Sequence, residues 1–324
     1  MSREFYAHPQ AIVESSSIGS GTRVWAFARV QPKARIGRGS NICDHVFVEN
    51  DVVIGDRVTV SSGVRLWDGI TLEDDVFVGP NATFIDDRPL SRRPPVALTR
   101  TVVRSGASIG ANATVSPGLT IGRNATVGDG AVVTHDVPPN AVVIGNPASI
   151  AGYVGATPGA FEASTPTVPG AARASRVRGV TLHRRPRFLD PRGALTVGQI
   201  GDGLPFVPRR YFLVFDVPTG QLRGAHAHKS MHQLLVCVHG DCSVAADDGE
   251  HREEFLLDAP DLALHIEPMV WATQFRFSSK AVLMVLTSGE YDRSDYIEEY
   301  EEYLRRVGQS RDQRSETPDL KVPR

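Results

Sequence analysis

The sequence predicts an all-β protein in two parts: an N-terminal left-handed parallel β-helix, followed by a small jelly-roll barrel with a C-terminal helix. Three observations predict it. Aliphatic residues or Phe recur at every sixth position through residues 12–84 and again through 103–133. Residues 177–287 carry short apolar or alternating runs broken by turn signals. Residues 293–307 then place Ile297, Tyr300, Leu304 and Val307 on one helical face.

The six-residue repeat runs Ile12, Ile18, Val24, Val30, Ile36, Ile42, Val48, Ile54, Val60, Leu66, Leu72, Val78 and Phe84. It resumes at Val103, Ile109, Val115, Ile121, Val127 and Val133. Gly follows the aliphatic residue at 19, 37, 55, 79, 110, 122 and 128. Each hexad is expected to form one face of a triangular coil, with the aliphatic residue inward. Asn, Asp and Gly belong at the corners, where left-handed backbone angles are needed. Residues 85–102 interrupt the period and are expected to leave the coil as an external loop, the kind of excursion that carries function.

Residues 156–177 are rich in Pro, Gly, Ala, Ser and Thr and read as a linker. The domain limits expected are 1–155 for the β-helix, 178–308 for the barrel and 309–324 for a polar, disordered tail.

In the second part, strands are expected at 209–217, 233–238, 253–257, 263–266, 274–277 and 281–286. The run Arg223-Gly-Ala-His226-Ala-His228-Lys229 puts two imidazoles on one face of a strand, because strand side chains alternate with period two. Such a pair is a metal site, a metal-free acid/base pair or two solvated polar residues. Imidazole titrates near neutral pH and is suited to taking a proton from one carbon and returning it to the next.

Composition narrows the partners. The 324 residues carry a net charge of −2, which points to neither nucleic acid nor an anionic membrane. The three cysteines, Cys43, Cys237 and Cys242, have no metal spacing and read as reduced. With no apolar leader or spanning run, a cytoplasmic protein is expected.

The first part resembles the hexapeptide-repeat acyltransferases over roughly residues 8–155. Gly145-Asn146-Pro147-Ala148 looks like the segment with which that family lines its acyl-CoA groove. Residues 41–51, 66–70 and 75–84 look like the N-acetyltransferases that act on amino groups of nucleotide-linked sugars. The resemblance implies a homotrimer or higher homo-oligomer, acetyl-CoA as donor, and sugar contacts from Asn81 and Asp87. Acyl transfer to an amine needs an oxyanion donor and a proton acceptor; His45, Asp86 and Asp87 are the candidates. Where the family continues Phe-Thr-Asn-Asp, this chain has Phe84-Ile85-Asp86-Asp87.

The spacing His226-x-His228, Gln233, Gly240 is similar to the first motif of a cupin barrel, with Gln where metal-binding members carry Glu. Thr273 stands where their further His is expected, so no metal is expected. Residues 178–305 resemble the WxcM-like sugar 3,4-ketoisomerases through Asp190-x-Arg192-Gly, residues 210–217, 223–229 and 254–258, Pro268-x-Val-Trp271 and Tyr291-Asp-x-x-Asp-Tyr296. The resemblance implies dTDP-linked deoxysugars as substrates and His228 as base. His226 would be the second acid/base group and Tyr211 a catalytic phenol. Arg223 would offset enediolate or diphosphate charge, Arg192 and Arg210 would contact the diphosphate, and Gln233 and Trp271 would contact substrate. The resulting expectation is a bifunctional enzyme that shifts a ketone on a dTDP-sugar and acetylates the derived 3-amino sugar. A non-catalytic nucleotide-sugar scaffold, a metal-dependent cupin and a 3,5-epimerase are the rivals.

Overall fold

The computed structural model describes residues 5–86, 99–156, 171–201, 203–218 and 220–315. The chain divides into two compact units, Met1–Val154 and Gly155–Arg324. Among the described residues no helix is long and apolar enough to cross a membrane.

The first unit is a triangular parallel β-solenoid whose coils contribute two- or three-residue strands to three sheets, closed at the end by the longer antiparallel pair Ala141–Ile144 and Ser149–Tyr153. Each coil takes 18 residues, so Val24, Ile42, Val60 and Val78 align along one face. These inward residues are fully buried, which is what a strict aliphatic hexad achieves when every third face superimposes. The corners explain the Asp, Asn and Gly of the repeat. Asn81, Asn112 and Asn124 adopt positive φ at corners. Asp56 and Asp74 accept the backbone N–H groups of Arg38 and Asp56 from the neighbouring coil, at 2.7 and 2.8 Å. Gly37 is needed because a Cβ there would lie 2.5 Å from the Gly55 carbonyl.

The repeat begins one residue out of the expected phase. Val13, not Ile12, aligns with Val30, and Ile12 aligns with the outward Arg29. Ile12 is therefore 55% exposed. Alternation within a two-residue strand lets either of two adjacent aliphatic residues take the inward site, and pairing to the next coil decides. At the other break, the coil closes again at Thr101–Val103, paired with Ile70–Leu72. Residues 87–98 of the expected loop lie outside the described residues.

The second unit is an antiparallel barrel of two sheets. One has the order Ala172–Ala174, Val180–Arg184, Leu262–Ile266, Gln233–His239, Val282–Thr287, Arg210–Phe215. The other has Arg252–Leu257, Cys242–Asp247, Trp271–Phe275, Arg223–His228, Tyr296–Ile297. Leu182, Leu235, Val244, Phe255, Leu264 and Leu283 fill the space between them. Cys242–Asp247 was not expected as a strand, because all six residues are buried and no period-two signal arises. Residues 172–174, expected in the linker, form an edge strand, and Val177 joins the core. Residues 157–170 of that linker lie outside the described residues.

The expected helix over 293–307 is corrected. Arg293–Asp295 is a single 3₁₀ turn capped by the Asp292 carboxylate, and Tyr296–Ile297 pairs as a strand with Ala227–His228. The α-helix begins only at Tyr300 and runs to Ser315, into the stretch expected as a disordered tail. Its Tyr300 and Tyr303 hydroxyls donate to the Asp247 carboxylate and carbonyl, each at 2.6 Å, which anchors the helix on the outside of the barrel.

Candidate active site

A cavity of about 400 Å³ opens in the barrel, lined by Phe212, Val214, Arg223, His226, Gln233, Gln274 and Tyr296 among others. The histidine strand, Arg223–His228, reaches it through a bulge. Gly224 and Ala225 both have positive φ, and the register shifts so that Arg223 faces Gln274 while His226 faces Ala272. That extra residue changes the phase of the strand. Arg223 and His226, three apart, therefore both line the cavity, which simple alternation forbids. A side chain at 224 would approach the Ala272 carbonyl to 2.8 Å, so glycine is required there.

His226 and His228 meet edge to face, with ring centroids 5.0 Å apart. His226 is part of the cavity wall. His228 stands behind it, 4% exposed. Its Nδ1 lies 2.9 Å from the Asp295 carboxylate and its Nε2 3.1 Å from the Gln233 amide nitrogen. With the carboxylate accepting, Nδ1 carries the proton and the Nε2 lone pair accepts from Gln233. Asp295 is itself held by the Ser230 hydroxyl at 2.7 Å and the Ser230 backbone N–H at 2.8 Å.

The electrostatics favour neutral rings. Burial pushes His228 below the ordinary imidazole range and outweighs the opposing pull of Asp295, while the Arg210 charge pushes the same way as burial. Burial, then the neighbouring His228, lowers His226. Burial raises the Asp295 carboxyl, but hydrogen bonds from Ser230 and His228 outweigh it and leave the group ionised below the usual range. A neutral, oriented imidazole backed by a carboxylate is a general base.

Among the described residues no cluster of three or more His, Cys, Asp or Glu side chains is arranged to hold a metal ion.

A family model described as WxcM-like, C-terminal, matches residues 178–308. A model for the bacterial transferase hexapeptide matches residues 100–135. A TDP-4-oxo-6-deoxy-α-D-glucose-3,4-oxoisomerase from Aneurinibacillus thermoaerophilus is 39% identical over 121 residues, 37% of this chain and 87% of the relative. A dTDP-3-amino-3,6-dideoxy-α-D-galactopyranose 3-N-acetyltransferase from the same organism is 53% identical over 150 residues, 46% of this chain and 78% of the relative. The chain belongs to both families, one in each unit. Among solved structures, a sugar 3,4-ketoisomerase from Thermoanaerobacterium thermosaccharolyticum with TDP bound is 30% identical. It covers 41% of this chain and 98% of its own, with a TM-score of 0.41.

Within the oxoisomerase unit the expected site residues divide. His226, His228, Gln233, Arg223 and Arg210 converge. Arg210 stacks over Phe212 and Tyr291 at 5.3 and 5.4 Å, and its buried Nε has no hydrogen-bond partner among the described residues. Tyr211 does not converge. Its strand alternates, Phe212 takes the inward position, and Tyr211 is 70% exposed on the other face. Arg192 sits on the exposed hairpin Arg187–Thr196, pairs with Asp190 at 2.7 Å and is not among the residues that line the cavity. Trp271 faces Ala227 on the outer side of its sheet, packed against Tyr300 and Tyr303 rather than open to a ligand. Asp295 and Tyr296 had no assigned role. The signal was present in the Tyr291–Tyr296 motif but lay within a stretch read as helix.

In the acetyltransferase unit His45 occupies a corner at φ 60 and stacks on Phe27, with centroids 4.9 Å apart. Asn81 takes the same corner two coils on, with its side-chain oxygen turned over Gly63. Asp86 follows Phe84 at the next corner, where the excursion leaves, so the chain does not bring His45 and Asp86 together. Asp87 lies outside the described residues. Gly145, Asn146, Pro147 and Ala148 form the exposed turn joining Ala141–Ile144 to Ser149–Tyr153. The Gly145 carbonyl and Ala148 N–H both bond Val132, which pins this turn to the last coil.

Proposed function

We propose that the chain is a bifunctional nucleotide-sugar enzyme. The second unit converts dTDP-4-keto-6-deoxyglucose to its 3-keto isomer. The first unit transfers an acetyl group from acetyl-CoA to the amine of the derived dTDP-3-amino-3,6-dideoxyhexose. The enzyme works in the cytoplasm as a homotrimer or higher homo-oligomer, without a metal. The observation that carries the isomerase reading is His228 held between Asp295 and Gln233 beside His226 at the cavity wall.

The 4-ketone acidifies the neighbouring C3 hydrogen. Asp295 keeps the His228 proton on Nδ1, so the Nε2 lone pair is the base, and rotation of the Gln233 amide onto a sugar oxygen uncovers it. The resulting enediolate is stabilised by the Arg223 guanidinium, and Arg210 is the residue we assign to the diphosphate. The proton returns to C4 from His228 or through His226, and transfer of the O3 proton to O4 accompanies it. In the first unit Asp86 is the base we assign, since the His45 ring is committed to its corner.

The test is NMR of dTDP-4-keto-6-deoxyglucose incubated in deuterated water with the full chain. A 3-ketone with deuterium at C4 is the expected product. Deuterium at C3 and C5 with the ketone still at C4 identifies a 3,5-epimerase instead, and an unchanged sugar leaves only a binding protein.

A further inference from the structure

Moving the ketone relocates two hydrogens, and the imidazole pair accounts for one. The C3 hydrogen goes to C4; the hydrogen on O3 must also reach O4. We propose that the Tyr296 hydroxyl carries this second proton, an inference that rests on the isomerase reading above.

The geometry singles out this phenol. Tyr296 is directly opposite His228 across the strand pair Ala227–His228 and Tyr296–Ile297. Its ring centroid lies 4.4 Å from that of His228 and 4.8 Å from that of His226. Among the described residues lining the cavity it is the one tyrosine. On the facing strand the inward position holds Phe212, which has no hydroxyl, and Tyr211 turns away. The dipeptide Asp295-Tyr296 thus serves both sides of one imidazole: the carboxylate fixes Nδ1 from behind, and the phenol enters the cavity beside it.

The chemistry fits a phenol. A phenol both donates and accepts a hydrogen bond, so it can give one proton and take another. Loss of the C3 proton to His228 leaves its electron pair in a new C3=C4 bond and moves the carbonyl pair onto O4. Tyr296 then gives its proton to O4 and takes the O3 proton in exchange. C4 is protonated and C3=O forms. No electrons leave the sugar, and the tyrosine ends as it began. His228 handles the carbon proton and His226 is placed to relay it to C4, so the oxygen proton is assigned to the phenol.

The experiment compares wild type and Tyr296→Phe as full chains in deuterated water, measuring two rates on the 4-keto substrate. One is loss of the C3 hydrogen to solvent; the other is appearance of the 3-ketone. Phenylalanine keeps the ring contacts to both histidines. The expected variant exchanges C3 within about threefold of wild type but forms the 3-ketone some ~10²-fold more slowly, with dTDP affinity unchanged. Isomerisation within about threefold of wild type, or an equal fall in both rates, overturns the relay. A wild-type enzyme that neither exchanges C3 nor forms the 3-ketone overturns the isomerase reading itself.

Discussion

The Asp295 carboxylate accepts a hydrogen bond from His228 Nδ1 at 2.9 Å, across 67 positions of sequence. The bond fixes the imidazole tautomer and leaves Nε2 as the basic nitrogen. Ser230, two residues beyond His228, holds the carboxylate in place through two further bonds, at 2.7 and 2.8 Å. One short turn, Arg293–Asp295, therefore sets the protonation state of the proposed base.

Replacing that carboxylate separates tautomer from shape. Asp295→Asn is expected to lower kcat of isomerisation by up to ~10⁴-fold, the loss that follows when an orienting carboxylate behind a catalytic histidine becomes an amide and the ring takes the wrong tautomer. KM stays within about threefold, because Asp295 bonds His228 Nδ1 and is not part of the cavity lining. Steady-state kinetics on the purified variant give the answer, and a large KM change with little loss of kcat defeats the assignment.

The pH profile follows from the direction of the histidine shifts. Both rings are depressed below the ordinary value of 6.5, chiefly by burial. A base with a lowered pKa stays neutral further into acid, so the acid limb of kcat/KM for the isomerase has its midpoint below 6.5. The midpoint belongs to the coupled pair rather than to one ring. A profile measured from acid to neutral pH that is half-maximal at or above 6.5 contradicts a buried base.

Stability of the barrel has its own pH dependence. His265, buried and stacked 3.1 Å from the His232 nitrogen, is pushed down to about 4 by burial first and then by His232 and His183. Because the folded value lies below the unfolded one, this contribution is complete above 6.5 and is lost as pH falls towards 4. Hydrogen-exchange protection in Gln233–His239 and Leu262–Ile266, taken relative to the intrinsic amide rate at each pH, should fall over that window. His265→Gln should flatten the change, and an unaltered pH dependence in the variant removes His265 from the cause.

The acetyltransferase site offers a paired comparison. His45 is at a left-handed corner that Asn also accepts, so His45→Asn should keep acetyl transfer within about threefold. Asp86→Asn, which removes the proposed base, should reduce kcat by ~10²-fold. Thiol release from acetyl-CoA with a 3-amino sugar acceptor measures both. The opposite order would return the base to His45.

Local patterning was sufficient wherever one residue's environment repeats the next. The aliphatic hexad determined the solenoid, because a six-residue period with corner Asn, Asp and Gly has one compact solution. It could not choose between Ile12 and Val13, since that choice depends on the neighbouring coil. In the barrel, strand alternation determined that His226 and His228 share a face, and the Gln233 spacing placed the amide beside them. Tertiary structure decided the rest. The bulge at Gly224–Ala225 reversed the phase that alternation assigns to Arg223. Docking of the C-terminal helix claimed Trp271, and strand pairing turned an apparent helical face at 293–299 into the element that carries Asp295 and Tyr296. The physical reason is common to these cases. Periodicity reports which side of an element faces the core, whereas the meeting of side chains from distant segments depends on backbone hydrogen bonds formed only when the two sheets close.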